Sequence, residues 1–508
     1  MTAKMKYNLI AKLKALVSRN ALQTLIFTAV LALAAVFRFW AAPLSAGQDV
    51  AQFWVFAQVF HAHGLDFYRY ADAKLDIFPY YGWGFFYPPV WLLILGLALL
   101  FVPGSLVANH MIDTGWRVAV KTPVIAADLA IGALIYWAVP GSKLRKLLFA
   151  SLWLFHPSAW FESSVFGQFD AIAVALLLAA LILLMRGRDR LAFLMAGLAI
   201  MTKQHTILAV AMMVIISARN MDRRRLLANG VVLLAPVVAL SIPFLSTGNF
   251  YRYARSLFLP GGSPGYQDPL CFAFSGSGAV VTHLHNVFGW ETSGVLNFNL
   301  PLLAAALAVT AILCYRKNVT LLQGALAGFL VFTGLHYRVN YQYLIIFIPL
   351  ALLQAALTHY RSERIYALTL AVLPAIWLWI TNVPWWFIDF DPKYTWVTPI
   401  LTRIGWPERY LPDYTYVTLA VSIMCLSLGY VVLVFARWQG KPLEPPAAQL
   451  PATGFDIRSA GHPQHGPDAP GNQLLLKLVR CLKRGGDVFA RSGRVSQDEV
   501  DGTRQPFH

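Results

Sequence analysis

Charge is scarce in this chain, and acid is scarcer still. Only 13% of the 508 residues are charged, 24 acidic against 41 basic, where an ordinary soluble domain carries about a quarter. Cysteine is nearly absent: Cys271, Cys314, Cys425 and Cys481 stand far apart, which excludes a CxxC motif, a zinc framework and a disulfide scaffold. The twelve histidines fall in no metal-ligand spacing, so neither a metal nor another cofactor is expected. No internal repeat is visible, which argues against a transporter built from inverted repeats. The net charge of +17 sits in short basic clusters and in the tail, and gives no reason to invoke nucleic acid.

What remains is apolar. Hydrophobic residues make up 58% of the chain, in runs long enough for helices that cross a bilayer. The fold class expected is all-α, a polytopic helical membrane protein of about 12–13 transmembrane helices. Basic clusters recur at Lys4–Arg19, Lys143–Lys146, Arg186–Arg190, Arg219–Arg225, Arg316/Lys317, Arg361/Arg364 and Arg437/Lys441. Keeping all of them on the cytoplasmic side fixes the spans at 22–42, 118–139, 145–162, 169–186, 190–203, 205–218, 225–245, 296–315, 319–336, 341–358, 366–383 and 415–437. The first span lacks a small-residue cleavage site and reads as a retained anchor. The stretch 190–218 must then be two short helices that meet at Lys203-Gln204-His205. The run 90–103, opened by Tyr87-Pro88-Pro89, must then not cross and reads as a re-entrant or interfacial helix, with a plain crossing helix as the alternative.

This arrangement leaves segments 43–117, 163–168, 246–295 and 384–414 outside, with both termini cytoplasmic. It implies four regions: an N-terminal arm (1–21), a catalytic transmembrane module (22–358), C-terminal helices with one outer loop (359–437), and a largely disordered tail (438–508). Within the tail, 474–484 has the pattern of a basic amphipathic helix, though an incidental apolar patch fits equally.

Polar residues gather at the outer ends of the spans. The first loop brings Asp49, Gln52, His61, His63, Asp66 and Arg69. Later segments bring Glu162, Gln168 and Asp170, then Lys203, Gln204 and His205, then His336, Arg338, Asn340, Tyr341 and Gln342. A charge at hydrocarbon depth costs about 2.5–3.5 kcal/mol on insertion scales, which makes each a functional candidate. Ordinary roles compete. Lys203 can snorkel, and Gln168 and Asp170 suit a helix start. Asp128 fits a structural pair with a neighbouring helix, while Arg252 and Arg255 fit lipid headgroups. The strongest cation candidates are His336 and Arg338, whose donors suit a phosphate. One acid, several cations and hydrogen-bonding amides suit transfer from a lipid phosphate donor. Asp49 would remove a proton from an acceptor hydroxyl, and the cations would stabilise the departing phosphate.

The Asp49 loop, Tyr87-Pro88-Pro89, Lys121-Thr122-Pro123 with Asp128, Phe166-Gly167-Gln168-Phe169-Asp170 after His156-Pro157, Lys203-Gln204 and His336-Tyr337-Arg338 carry a resemblance. In order and spacing the chain resembles the GT-C superfamily of integral-membrane glycosyltransferases. It is most similar to their bacterial polyprenyl-phosphate-sugar-dependent branch and to the mannosyltransferase of glycosylphosphatidylinositol assembly. The resemblance spans residues 22–358; the last two spans and the tail add nothing specific to it. It implies an inner-membrane enzyme that moves a mannose-like hexose, with inversion, from a polyprenyl-phosphate donor to a lipid or glycan acceptor on the periplasmic side. Asp49 is then the base, with Lys203, His336, Arg338, Arg252 and Arg255 on the donor phosphate. Gln168, Asp170, Gln204, His205 and Glu162 face sugar or acceptor. Asp49 stands alone, without a DxD or DE pair, so no metal is expected. The alternative is a transporter or flippase of a lipid-linked sugar, which would need gates on both faces.

Overall fold

The computed structural model describes residues 19–71, 84–108, 111–245, 250–258, 274–381, 388–404, 410–411 and 414–436. The expected helix at 474–484 lies outside them. Among the described residues seventeen helices of eight or more residues succeed one another: α1 (Arg19–Ala41), α2 (Gln48–His63), α3 (Pro89–Phe101), α4 (Thr114–Ala138), α5 (Lys143–Leu154), α6 (Asp170–Met185), α7 (Asp189–Thr202), α8 (Ile207–Asn220), α9 (Arg223–Leu245), α10 (Phe250–Phe258), α11 (Ser277–Phe288), α12 (Asn299–Arg316), α13 (Leu321–Leu335), α14 (Leu344–Leu357), α15 (Arg361–Thr381), α16 (Val397–Ile404) and α17 (Tyr414–Phe435). The chain is a polytopic helical membrane protein. Among the described residues six helices are long and apolar enough to cross a bilayer: α1, α4, α9, α12 with its preceding turn, α15 and α17.

The other apolar helices stop short. At 14–16 residues, α6, α7, α8, α13 and α14 span about 21–24 Å, less than the ~30 Å hydrocarbon core. One end of each lies beside a basic cluster and the other stops at the polar residues singled out in the sequence, so these polar residues gather at one end of the short helices. α14 is apolar on every side and buried from Leu344 to Ala356, as a helix at the centre of a bundle must be.

The basic clusters converge on one end. Arg186 donates to the Trp137 carbonyl at the end of α4, Arg145 to the Ala356 carbonyl, and Arg219 to the Cys314 carbonyl. Arg225, at the start of α9, pairs with Asp189, at the start of α7. Because α8 ends just before Arg225, α7 and α8 run in opposite directions and meet at Lys203, with a 3₁₀ turn at Gln204–Thr206. Close packing of α7 on α9 depends on Gly197, where a Cβ would sit 2.2 Å from the Leu233 carbonyl oxygen.

Two expectations change. The span expected at 145–162 is not one helix: α5 stops at Leu154, and Pro157 opens a single turn that continues as a π-helical turn, Phe161–Phe166. Pro157 lacks the N–H that a continuous helix would use. Segment 359–437 is also not separate from the module before it. Strand β1 (Ser45–Gly47) pairs antiparallel with Ile388–Phe390, and Arg117 of α4 forms an ion pair with Asp391. Two further short pairings, β2 (Leu106–Ala108) with β3 (Met111–Ile112) and β4 (Phe274–Ser275) with β5 (Val339–Asn340), tie other outer segments together; Ile388–Phe390 is β6.

Tyr87, before helix α3, packs on Phe53 and Phe169, and Pro103, after it, accepts from Trp54 Nε1 at 2.8 Å, so both ends of α3 are tied to the start of α2.

One buried pair braces α1. Arg38 and Asp128 are wholly buried, with Arg38 Nε 2.6 Å from Asp128 Oδ2; Ser163 Oγ donates to the same oxygen, and Arg38 also donates to the Leu154 carbonyl at 2.7 Å. Asp128 therefore has the structural role expected of it. Arg38→Met leaves an uncompensated buried carboxylate and is expected to destabilise the fold by about 3–5 kcal/mol, whereas Arg38→Met with Asp128→Leu should recover most of the loss. Thermal unfolding in detergent measures both; a double variant no better than the single one would contradict the pairing.

Candidate active site

The polar centre forms where several chain breaks meet. After α5, the π turn redirects the backbone, and its Glu162 carbonyl accepts both Gly167 N–H and Gln168 N–H at 2.9 Å. Gly167 sits at φ +88°, where a Cβ would lie 2.7 Å from Val50 and 3.0 Å from the Lys121 stem. Such single-turn π segments often mark functional sites. The turn delivers Gln168, Phe169 and Asp170 to the start of α6.

Asp49 opens α2 directly after β1, and its carboxylate accepts from Gln168 Nε2. Asp49 keeps part of its surface open while Gln168 and Asp170 are buried. Burial lifts the Asp49 carboxyl to about 6; the Lys203 charge and the Gln168 hydrogen bond pull it down, and the Asp170 charge adds to the rise. A carboxylate that titrates close to neutral pH suits a general base.

Lys203, at the break between α7 and α8, lies 3.0 Å from Asp170 Oδ2, and both side chains are about 1% exposed. Its ammonium also sits 4.5 Å from the Phe169 ring centre and 4.7 Å from that of Tyr87, with Tyr343 at 5.7 Å. Cation and rings attract through the ring quadrupole. Asp170 and the aromatic box of Phe169, Tyr87 and Tyr343 thus surround the Lys203 ammonium.

His205 faces Tyr343 and Phe332, with ring centres 4.3 and 5.4 Å apart. His336 stacks on the other part of Phe332 at 4.7 Å and bonds through Nδ1 to the Arg338 carbonyl at 2.6 Å. β5 holds this strand against β4, with Gly276 packed on the His336 and Tyr337 carbonyls. Arg338 is half-buried and within electrostatic reach of Tyr343, Tyr337 and Tyr87. Gln204 Nε2 donates to the Phe86 carbonyl at 2.7 Å and so anchors the Tyr87 segment.

Several buried acceptors here have no partner among the described residues: Glu162 Oε2, Gln168 Oε1, Asp170 Oδ1 and Gln204 Oε1, together with His205 Nδ1. Buried polar atoms are normally satisfied, so this set of unsatisfied atoms suits a ligand rich in hydroxyls. Among the described residues no group of three His, Cys, Asp or Glu side chains is arranged to hold a metal ion.

Nine of the eleven residues expected at the site meet here. The two exceptions are on α10. Arg252 is exposed and donates to the Arg69 carbonyl at 2.6 Å, beside the turn Phe67–Tyr70; the side chain of Arg255 lies outside the described residues. His61 and His63 also stand apart, about 18–21 Å along α2 from Asp49 at 1.5 Å per residue. Sequence reasoning missed the aromatic box of Tyr87, Phe169 and Tyr343, whose signal was the Tyr-Pro-Pro and Tyr-Gln-Tyr runs beside polar residues. It also missed Asp391 and β6, which no local pattern ties to Asp49.

Residues 85–336 match the model of glycosyltransferase family 87; the match starts after Asp49 and ends at His336. No curated protein matches the chain. Among solved structures the chain is similar to ArnT from Cupriavidus metallidurans in its apo state, with 16% identity over 83% of this chain and 78% of that one and a TM-score of 0.36. For the same protein bound to undecaprenyl phosphate the values are 16%, 82%, 77% and 0.35. From residue 85 to residue 336, around the site and through its helical scaffold, this membrane protein is therefore similar in sequence to glycosyltransferase family 87.

Proposed function

We propose that the chain transfers a mannose-like hexose, with inversion, from a polyprenyl-phosphate donor to a lipid or glycan acceptor, on the periplasmic side of a bacterial inner membrane. The observation that carries this reading is the half-open carboxylate, Asp49, bonded to Gln168 close to the Lys203–Asp170 pair, with unsatisfied acceptors on Gln168, Asp170 and Glu162. Asp49 takes the proton from an acceptor hydroxyl as the oxygen attacks the anomeric carbon, and the bond to the lipid phosphate breaks on the opposite face. Glu162, Asp170, Gln168, Gln204 and His205 bind sugar or acceptor hydroxyls. Arg338, with His336 holding its backbone, stabilises the phosphate that leaves. A site at the ends of short helices supports a phosphate held at headgroup depth while the polyprenyl chain stays in lipid.

The test of the reaction is the full-length protein in lipid nanodiscs, supplied with undecaprenyl-phosphate hexoses and membrane lipid extract. Mass spectrometry should find hexose moved to an acceptor and free undecaprenyl phosphate in equal amount. Movement of intact lipid-linked sugar between leaflets without cleavage would instead identify a flippase.

The base mechanism fixes a pH dependence. Asp49 must be ionised to act, so kcat/KM should be flat above its value of about 6 and fall about tenfold per pH unit below it. Rates measured from pH 4.5 to 8 check the sign and position; a profile that rises toward acid would contradict it.

A further inference from the structure

Lys121 lies within the apolar helix α4, wholly buried, and its ammonium faces no carboxylate partner among the described residues. It donates instead to four backbone carbonyls: Ala42 at 3.0 Å, Ser45 at 2.6 Å, Ser164 at 2.7 Å and Val165 at 3.0 Å. Burying an ammonium without a counter-ion is costly, and a costly intramembrane charge is kept where it does something.

The four acceptors come in two pairs. Ala42 and Ser45 lead into β1, and Asp49 follows Ser45 by four residues. Ser164 and Val165 belong to the π turn, and Gln168 follows Val165 by three. The segments also touch directly, since Ser45 Oγ donates to the Val165 carbonyl at 3.0 Å. A Cβ on Gly47 would sit 2.8 Å from Phe166. One ammonium thus ties together the two strands of backbone whose side chains, Asp49 and Gln168, meet above it.

We propose that Lys121 is a positioning residue: by clamping the carbonyls of Ala42, Ser45, Ser164 and Val165 it fixes the register between the Asp49 segment and the Gln168–Asp170 segment. Its value to turnover rests on the reading of Asp49 as base, but the clamp itself is independent of that reading. An ammonium suits the task because three N–H groups reach several carbonyls at once, where a hydroxyl or amide reaches fewer. A shift of about 1 Å between the reacting groups can cost on the order of a hundredfold in rate, so the clamp acts on kcat more than on substrate affinity.

The experiment uses full-length protein without its native cysteines, with Asp49→Cys and Gln168→Cys introduced together, in nanodiscs. A short bis-thiol reagent should join the pair rapidly when Lys121 is present. Lys121→Met, which keeps the stem and removes the charge, should slow joining about tenfold or more, and Lys121→Gln, which keeps two donors, should fall between. Thermal unfolding shows which variants are folded; if the methionine variant is not, the glutamine variant decides alone. Joining rates within twofold of the parent in every folded variant overturn the proposal. A second measurement keeps Asp49 and Gln168 native and reads turnover of undecaprenyl-phosphate hexose against pH. Lys121→Gln should lower kcat with KM little changed and move the acid limb, because the Asp49 titration is set by burial, Lys203, Gln168 and Asp170 and not by the Lys121 charge. An unmoved acid limb with unchanged kcat also counts against the clamp. Full activity in Asp49→Asn would remove the base assignment while leaving the joining result to stand.

Discussion

Asp49→Asn is expected to lower transfer by about 10²–10⁴-fold, roughly 3–5 kcal/mol of barrier, the contribution typical of a general base. The amide matches the carboxylate in shape and keeps an oxygen to accept from Gln168, so the bundle should fold and insert as before. What it loses is the ability to take a proton. The residual rate should come from positioning by the aromatic box and from Arg338, and should no longer depend on pH near 6. Steady-state turnover of the purified variant, with thermal stability as control, decides the matter. Near-normal turnover would falsify the role of Asp49 in proton transfer and direct attention to Glu162, a nearby buried carboxylate with an unsatisfied oxygen.

The second large effect concerns the phosphate. Arg338→Ala should weaken binding of undecaprenyl phosphate by roughly 1.5–3 kcal/mol, tenfold to about a hundredfold, the range of hydrogen bonds to charged groups. Arg338→Lys should recover only part of this, because a guanidinium offers a planar fork that matches two phosphate oxygens and an ammonium is a point charge. The alternative is that Arg338 only anchors the β4–β5 pair at the membrane surface, in which case lysine should serve equally. Affinity of each variant for the lipid phosphate in detergent separates the two. Equal binding by wild type and Arg338→Ala would sink the clamp and leave the site without an identified phosphate cation, since Lys203 is already engaged by Asp170.

Membrane class, the break at Lys203 and the convergence of the basic loops were legible because each follows from composition or charge placement, which act locally. The candidate site was legible for a related reason: in an apolar chain every charged or amide side chain at a helix end stands out. The same logic overreached at Arg252, whose charge faces Arg69 on an outer loop; exposure is not encoded in the residue type. The roles of Lys203 and Lys121 were illegible because partner choice is tertiary. Nothing near Lys203 in the chain announces Asp170, 33 residues away, and no pattern predicts that an ammonium will settle on carbonyls of two distant turns. The π turn at Phe161–Phe166 hid inside an apolar run that a uniform helical period describes equally well, and only Pro157 hinted at a break.

The pairing of β1 with β6 also sets an order of events during synthesis. Every side chain assigned to the chemistry is present once the chain has reached Arg338, yet the segment that holds Asp49 waits for Ile388–Phe390 and Asp391 before its edge is closed and Arg117 is paired. While α15 is still entering the bilayer, the nascent protein carries the whole set of reactive groups without the frame that aligns them. The frame around the Asp49 segment is therefore completed late, together with the end of the bundle.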